Sequence, residues 1–269
     1  MRIDAHHHVW QVARGDYGWM SPDLAIARDY GLDDLRPLLG EVSGTILVQA
    51  AETAAETDFM LEVARSSGGL VRGVVGWVDL AAADAPARVA ARAGDALVRG
   101  LRPMLQDIDD TGWILRPEVQ PGLAAMVAHG LRFDALIKPR HLPVIGELAR
   151  RHPGLAVVID HAAKPDIAGK AFDPWAGQMA KLARETVWCC KLSGLVTEAG
   201  AAWTPDDLRP YVEHLLAEFG PDRLMWGSDW PVVDLAGGYG RWQAAAMALV
   251  PASAQAAVFG RTAVRFYGV

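Results

Sequence analysis

The chain has 269 residues, 51% of them hydrophobic, and a formal net charge of −6 from 26 basic and 32 acidic side chains. That length suffices for one large buried core, while the acidic balance without a long basic run argues against nucleic acid or an anionic membrane surface as a partner. No apolar stretch reaches the roughly 18 uninterrupted residues of a membrane span, and Met1-Arg2-Ile3-Asp4 opens no apolar leader, so a cytoplasmic protein is expected.

The first predicted strand, Ile3–Trp10, contains Asp4-Ala5-His6-His7-His8. Side chains alternate along a strand, so His6 and His8 share one face and His7 takes the other. Two imidazoles at the C-terminal end of a strand suit a divalent metal or an oriented water; a polar strand end or a tag remnant is the plain alternative. The next segment, Gln11–Gly31, is long for a loop and carries Trp19, Met20 and Pro22. Further apolar or β-branched runs follow at Thr45–Ala50, Gly73–Val78, Val98–Arg102, Arg132–Ile137, Ala156–Asp160, Val187–Leu192 and Arg223–Gly227. Helical spacing lies between them at Thr57–Ser66, Ala85–Ala96, Gly122–His129, Pro143–Arg151, Trp175–Glu185 and Thr204–Phe219, with a closing helix over Ala252–Tyr267. Eight strand–helix units without a linker predict a single-domain (β/α)8 TIM-type barrel spanning 1–269. The only cysteines, Cys189 and Cys190, face opposite ways in a strand and are expected as buried reduced thiols, not ligands.

Barrels of this kind build their sites at the C-terminal strand ends. There the sequence places His6 and His8, then Arg102, then Lys138 and Arg140, then His161 with Lys164, then Lys191, and finally Asp229 with Trp230. Each has a structural alternative. Asp229 before a proline could cap a turn, His161 could be a core histidine, and Arg102 and Lys191 could form rim ion pairs. Lys138 and Arg140 could be solvated, and tryptophans such as Trp10 and Trp230 could simply pack. Tryptophan beside polar strand ends also suits the apolar faces of a sugar ring.

His6-x-His8 ending a first strand and Asp229 ending an eighth resemble the amidohydrolase superfamily. Five stretches in series resemble its sugar-acid lactonase branch: Ile3–Trp10, Arg99–Arg102 with Leu105-Gln106-Asp107, Asp160–Pro165, Cys190–Leu195 with Thr197-Glu198, and Arg223–Pro231. Metal-dependent members of the superfamily carry a bridging lysine, glutamate or cysteine near the fourth strand and a histidine at the fifth. Here Arg102 and Lys138-Pro139-Arg140 stand in those places.

The resemblance implies hydrolysis of a sugar-acid lactone, an aldono- or aldarolactone such as L-fucono- or L-rhamnonolactone, to its free acid. Asp229 would act as general base on water, with His6, His8 and His161 placing that water and steadying the oxyanion. Arg102, Trp10, Lys138, Arg140, Lys164 and Trp230 would bind substrate, Arg102 as a clamp for any carboxylate. No cofactor is strictly required; at most one weakly held divalent ion, zinc or manganese, would sit on His6, His8 and Asp229. The partner is then a small lactone, and nothing in the pattern separates a monomer from a homo-oligomer. The alternatives are a lactone isomerase, a metal-dependent amidohydrolase or decarboxylase, and a sugar-acid binding protein.

Overall fold

A computed structural model describes all 269 residues. The strands are β1 (Arg2–His7), β2 (Val42–Val48), β3 (Val71–Gly76), β4 (Val98–Leu101), β5 (Arg132–Ala135), β6 (Val157–Ile159), β7 (Cys189–Leu192) and β8 (Leu224–Trp226). They form one parallel sheet in the order β1 to β8. Helices fill the crossovers: α1 (Leu32–Leu35), α2 (Ala54–Ser66), α3 (Ala85–Ala93), α4 (Gln120–Ala128), α5 (Leu142–Arg151), α6 (Trp175–Glu185), α7 (Leu195–Ala199), α8 (Pro205–Phe219) and α9 (Tyr239–Leu249). The C-terminal helical stretch is α10 (Ala252–Ala256), a widened π turn over Ala257–Arg261, and α11 (Thr262–Tyr267). This is the (β/α)8 barrel that the alternating pattern predicts. No helix is long and apolar enough to cross a membrane.

Two apolar layers hold the sheet. Ile46, Val48, Val75, Val158, Cys189 and Met225 form one small cluster with Ala263 and Tyr267 of the C-terminal helix, which closes the N-terminal end of the barrel. Their sheet neighbours Leu47, Val74, Ile159, Cys190 and Leu192 belong to the large cluster shared with the surrounding helices. The two cysteines thus face opposite layers, and both are free and buried.

Four of the eight strands stop two or three residues short of the predicted ends. The runs ending in Trp10, Ala50, Val78 and Ile137 stay buried after strand pairing has ceased, so apolar sequence outlasts the ladder. The first ladder is also irregular, with a register shift between Asp4 and His7.

Closure between β8 and β1 is not a ladder. One bridge pairs His7 with Trp230, supported by His8 N donating to Trp230 O at 2.7 Å and Asp229 N donating to His6 O at 2.8 Å. The buried Asp4 carboxylate accepts from Ser228 N at 2.8 Å and His6 N at 3.2 Å. Gly227 completes the seam, because a Cβ there would lie 2.6 Å from the His6 Cβ. The join therefore runs through the residues that flank the predicted site.

Candidate active site

At the C-terminal ends of the strands lies a cavity of about 180 Å³. Its buried end is polar, made by His8, His161, Asp229 and Arg102, and its apolar wall includes Trp10, Trp19, Met104 and Leu136. The long loop after β1 supplies part of that wall. It returns to the barrel through paired backbone hydrogen bonds between Trp10 and Tyr30, both 3.0 Å, and the Trp19 indole N–H donates to Ala50 O at 2.7 Å.

Asp229 is the hub. Its Oδ1 lies 3.3 Å from His8 Nε2 and 3.8 Å from both His6 Nε2 and His161 Nε2. Burial alone would raise its pKa, but His161, His8 and His6 together hold the carboxyl well below its ordinary value, so it is ionised. Asp229 (φ 59°) and His161 (φ 52°) both occupy the left-handed region, a conformation that costs non-glycine residues about 1–3 kcal/mol and concentrates at functional sites.

The imidazoles are held at their far sides. His8 Nδ1 lies 2.8 Å from Val48 O, which only an Nδ1–H satisfies, and its Nε2 lies 3.3 Å from both Asp229 Oδ1 and His6 Nε2. His161 Nδ1 sits 2.8 Å from Ser193 Oγ. His6 Nδ1 lies between Lys191 Nζ at 3.1 Å and Asp160 Oδ1 at 3.6 Å, so either neutral tautomer has a partner. Burial lowers the pKa of His6 far below its ordinary value, with the Lys191 charge adding to the shift. Burial likewise lowers His161 to about 4. His7 faces away and meets Thr45 Oγ1 at 2.9 Å.

The buried donor atoms suit one divalent ion. His6, His161 and Asp229 each bring one ligand atom within 4.8 Å of the others, and neutral imidazoles beside a carboxylate are the protonation states metal binding needs. His161 joins the set read from the sequence, and His8 Nε2, 3.3 Å from both His6 Nε2 and Asp229 Oδ1, lies within the same reach. A second ion does not fit, because the Arg102 guanidinium occupies the β4 position and approaches His6 Nε2 at 3.4 Å.

Below the histidines lies a charge network that the sequence did not expose. The fully buried Lys191 ammonium donates to Asp134 Oδ2 at 2.5 Å and contacts Asp160 Oδ1 at 3.0 Å. Tyr267 OH donates to the same Asp134 oxygen at 2.7 Å. Arg102 pairs with Asp160 at 3.3 Å and donates to Gln49 Oε1 at 3.1 Å and to the Gln49 carbonyl. Glu56 was also missed; its carboxylate accepts from Ala50 N and Ala51 N at 2.9 and 2.8 Å and shapes the end of β2.

The remaining predicted contacts divide. Lys164 lines the cavity, brought there by a left-handed run over His161, Ala162, Ala163 and Lys164 (φ 52°, 50°, 60° and 52°), and its ammonium lies 3.9 Å from Glu198 of α7. Trp10 lines the cavity through its buried ring. Lys138, Arg140 and Trp230 do not line it. Lys138 is exposed, beyond the end of β5. Arg140 donates to the carbonyls of Ile108 and Gln106 at 2.9 and 3.2 Å, tying two loops together. Trp230 is buried edge-on against Tyr30, with ring centroids 5.2 Å apart.

Known proteins resemble the chain over its whole length. An L-fucono-1,5-lactonase of Burkholderia ambifaria is 49% identical, the match covering 100% of this chain and 96% of that protein. A second L-fucono-1,5-lactonase, from Burkholderia multivorans, is 37% identical with the same coverage. The crystal structure of an amidohydrolase from Burkholderia multivorans with bound zinc superposes with a TM-score of 0.91 at 36% identity, covering 100% of this chain and 99% of that one. The amidohydrolase family model matches residues 3–269. The chain therefore belongs to the amidohydrolase family.

Proposed function

We propose that this protein hydrolyses a sugar-acid lactone, an aldonolactone of the L-fucono-1,5-lactone type, to the free acid. The observation that carries the reading is Asp229, an ionised carboxylate among three imidazoles at the end of a small, half-apolar cavity. The two lactonase relatives support the same chemistry.

Asp229 is placed to take a proton from water as its oxygen attacks the lactone carbonyl carbon. His6 is fully buried behind the cavity lining, where its Nδ1 meets the Lys191 ammonium and its Nε2 lies 3.8 Å from Asp229, so it positions that carboxylate. The Arg102 guanidinium, which lines the cavity, faces the negative charge that develops on the carbonyl oxygen. His161, fixed by Ser193, approaches the same Asp229 oxygen and lines the cavity beside it. The carboxylic acid formed at Asp229 then returns the proton to the ring oxygen as the C–O bond breaks. An ion held by His6, His161 and Asp229 would supply Lewis-acid polarisation of the carbonyl or a more acidic water. The apolar wall of Trp10, Trp19 and Met104 suits the C–H face of a pyranose-sized ring.

The test is acid release from L-fucono-1,5-lactone by the purified protein and by Asp229→Asn. Loss of the base should lower kcat by about 10²–10⁴-fold with circular dichroism unchanged. A near-normal rate in a folded variant removes Asp229 from this role.

A further inference from the structure

Within the lactonase reading, on which this rests, we propose that Glu198 is a specificity-determining residue: its ion pair with Lys164 reserves the cavity for uncharged lactones and turns away lactones bearing a free carboxylate. The support is the charge inventory of the cavity. Four charged side chains line it, the cations Arg102 and Lys164 and the anions Asp107 and Asp229. Arg102 is 3% exposed and already committed to Asp160 and Gln49, so it has little capacity to clamp a substrate anion. Arg140 is held by loop carbonyls and does not reach the lining. Lys164 is thus the one lining cation not buried in the barrel, and Glu198 Oε1 lies 3.9 Å from its ammonium.

Glu198 is set in place from two sides. Its carbonyl accepts from Ala168 N at 3.0 Å, in the loop after Lys164, and its own N–H donates to Gly194 O at 3.4 Å. Burial raises its pKa, Lys164 opposes that shift, and the charge of Asp229 adds to it, so the fields of Glu198 and the catalytic carboxylate overlap. A substrate carboxylate entering this space meets Asp229 and Asp107 with Lys164 already neutralised. An aldonolactone brings hydroxyls only and meets no such repulsion. Specificity then comes from a repulsive element rather than from an added attraction.

The experiment compares kcat/KM for L-fucono-1,5-lactone and for D-glucaro-1,4-lactone, which carries a carboxylate, at low ionic strength. Wild type should favour the neutral lactone. Glu198→Gln frees the Lys164 charge and should raise the carboxylated-to-neutral ratio by about fivefold or more, the scale of one unscreened charge at a half-exposed site. Glu198→Asp should retain the wild-type ratio, and the Glu198→Gln/Lys164→Gln double variant should lose the gain. Both side chains are partly exposed, at 23% and 29%, so the variants are expected to fold. A ratio that stays within about twofold in Glu198→Gln, or a wild type that prefers the carboxylated lactone, overturns the proposal and leaves the lactonase reading standing. Failure of wild type to hydrolyse either lactone overturns both.

Discussion

Arg102, just past β4, and Glu56, in the first turn of α2, are both buried ionisable groups, yet their surroundings give them opposite consequences. Arg102 shares Asp160 with Lys191, and removing it leaves Asp160 less compensated inside the barrel. Arg102→Met should therefore lower stability by about 3–5 kcal/mol, the cost of breaking a buried pair, as measured by denaturant unfolding. A purely substrate-clamping arginine would leave stability unchanged and raise KM alone. Glu56 faces backbone N–H groups without a paired cation, and burial raises its pKa to about 7. The folded protein then binds more protons than the unfolded chain between pH 4.5 and 7. Stability from this group is present at low pH and declines as pH rises through that window, by up to about 3 kcal/mol. In Glu56→Gln the decline should vanish, so the difference in Tm between wild type and variant should shift toward wild type on acidification from pH 8 to 5. The sequence made His6, His8, His161 and Asp229 legible because they close runs of apolar residues. It placed Asp160 at a strand end without its partners and hid Asp134 and Glu56, since which acidic residues share a layer depends on the shear of the barrel, and that is not written in any one strand.

The element that matters most for geometry is the left-handed run His161–Lys164, which contains no glycine to announce it. It turns His161 toward Asp229 and Lys164 into the cavity, against the right-handed preference of L-residues. The glycine it needs sits elsewhere: Gly194 has φ 65°, and a Cβ there would lie 2.6 Å from His161 Nδ1. Gly194→Ala should cost about 1–3 kcal/mol from the backbone conformation alone. It should also displace the His161 ring, so kcat should fall beyond what the loss of folded protein explains; an unchanged kcat would detach His161 from the chemistry. Among the helices, the predicted six crossovers and the C-terminal stretch correspond to observed elements, whereas α9 was not anticipated. It begins after Gly237-Gly238 and reads as a near-uniform run of alanine and other apolar residues, leaving little amphipathic period to detect. The short α7 was missed for lack of length, although it carries Glu198.

At the scale of the molecule, the eight-unit alternation is the most legible property, because each parallel strand needs both faces covered and each crossover needs a helix. What no local pattern discloses is where the barrel is joined. The seam between β8 and β1 is held by Asp4, Ser228 and the strand-end residues themselves, and the hydrogen bond from Ser228 N to Asp4 spans 224 positions of the chain. His6 and His8 come from one side of that seam and Asp229 from the other. A contact of such separation needs both ends of the chain in place before it can form. The proposed catalytic constellation is therefore absent from every partly folded species that lacks the final strand, and recovery of activity on refolding is expected to report closure of the barrel rather than the collapse of the core.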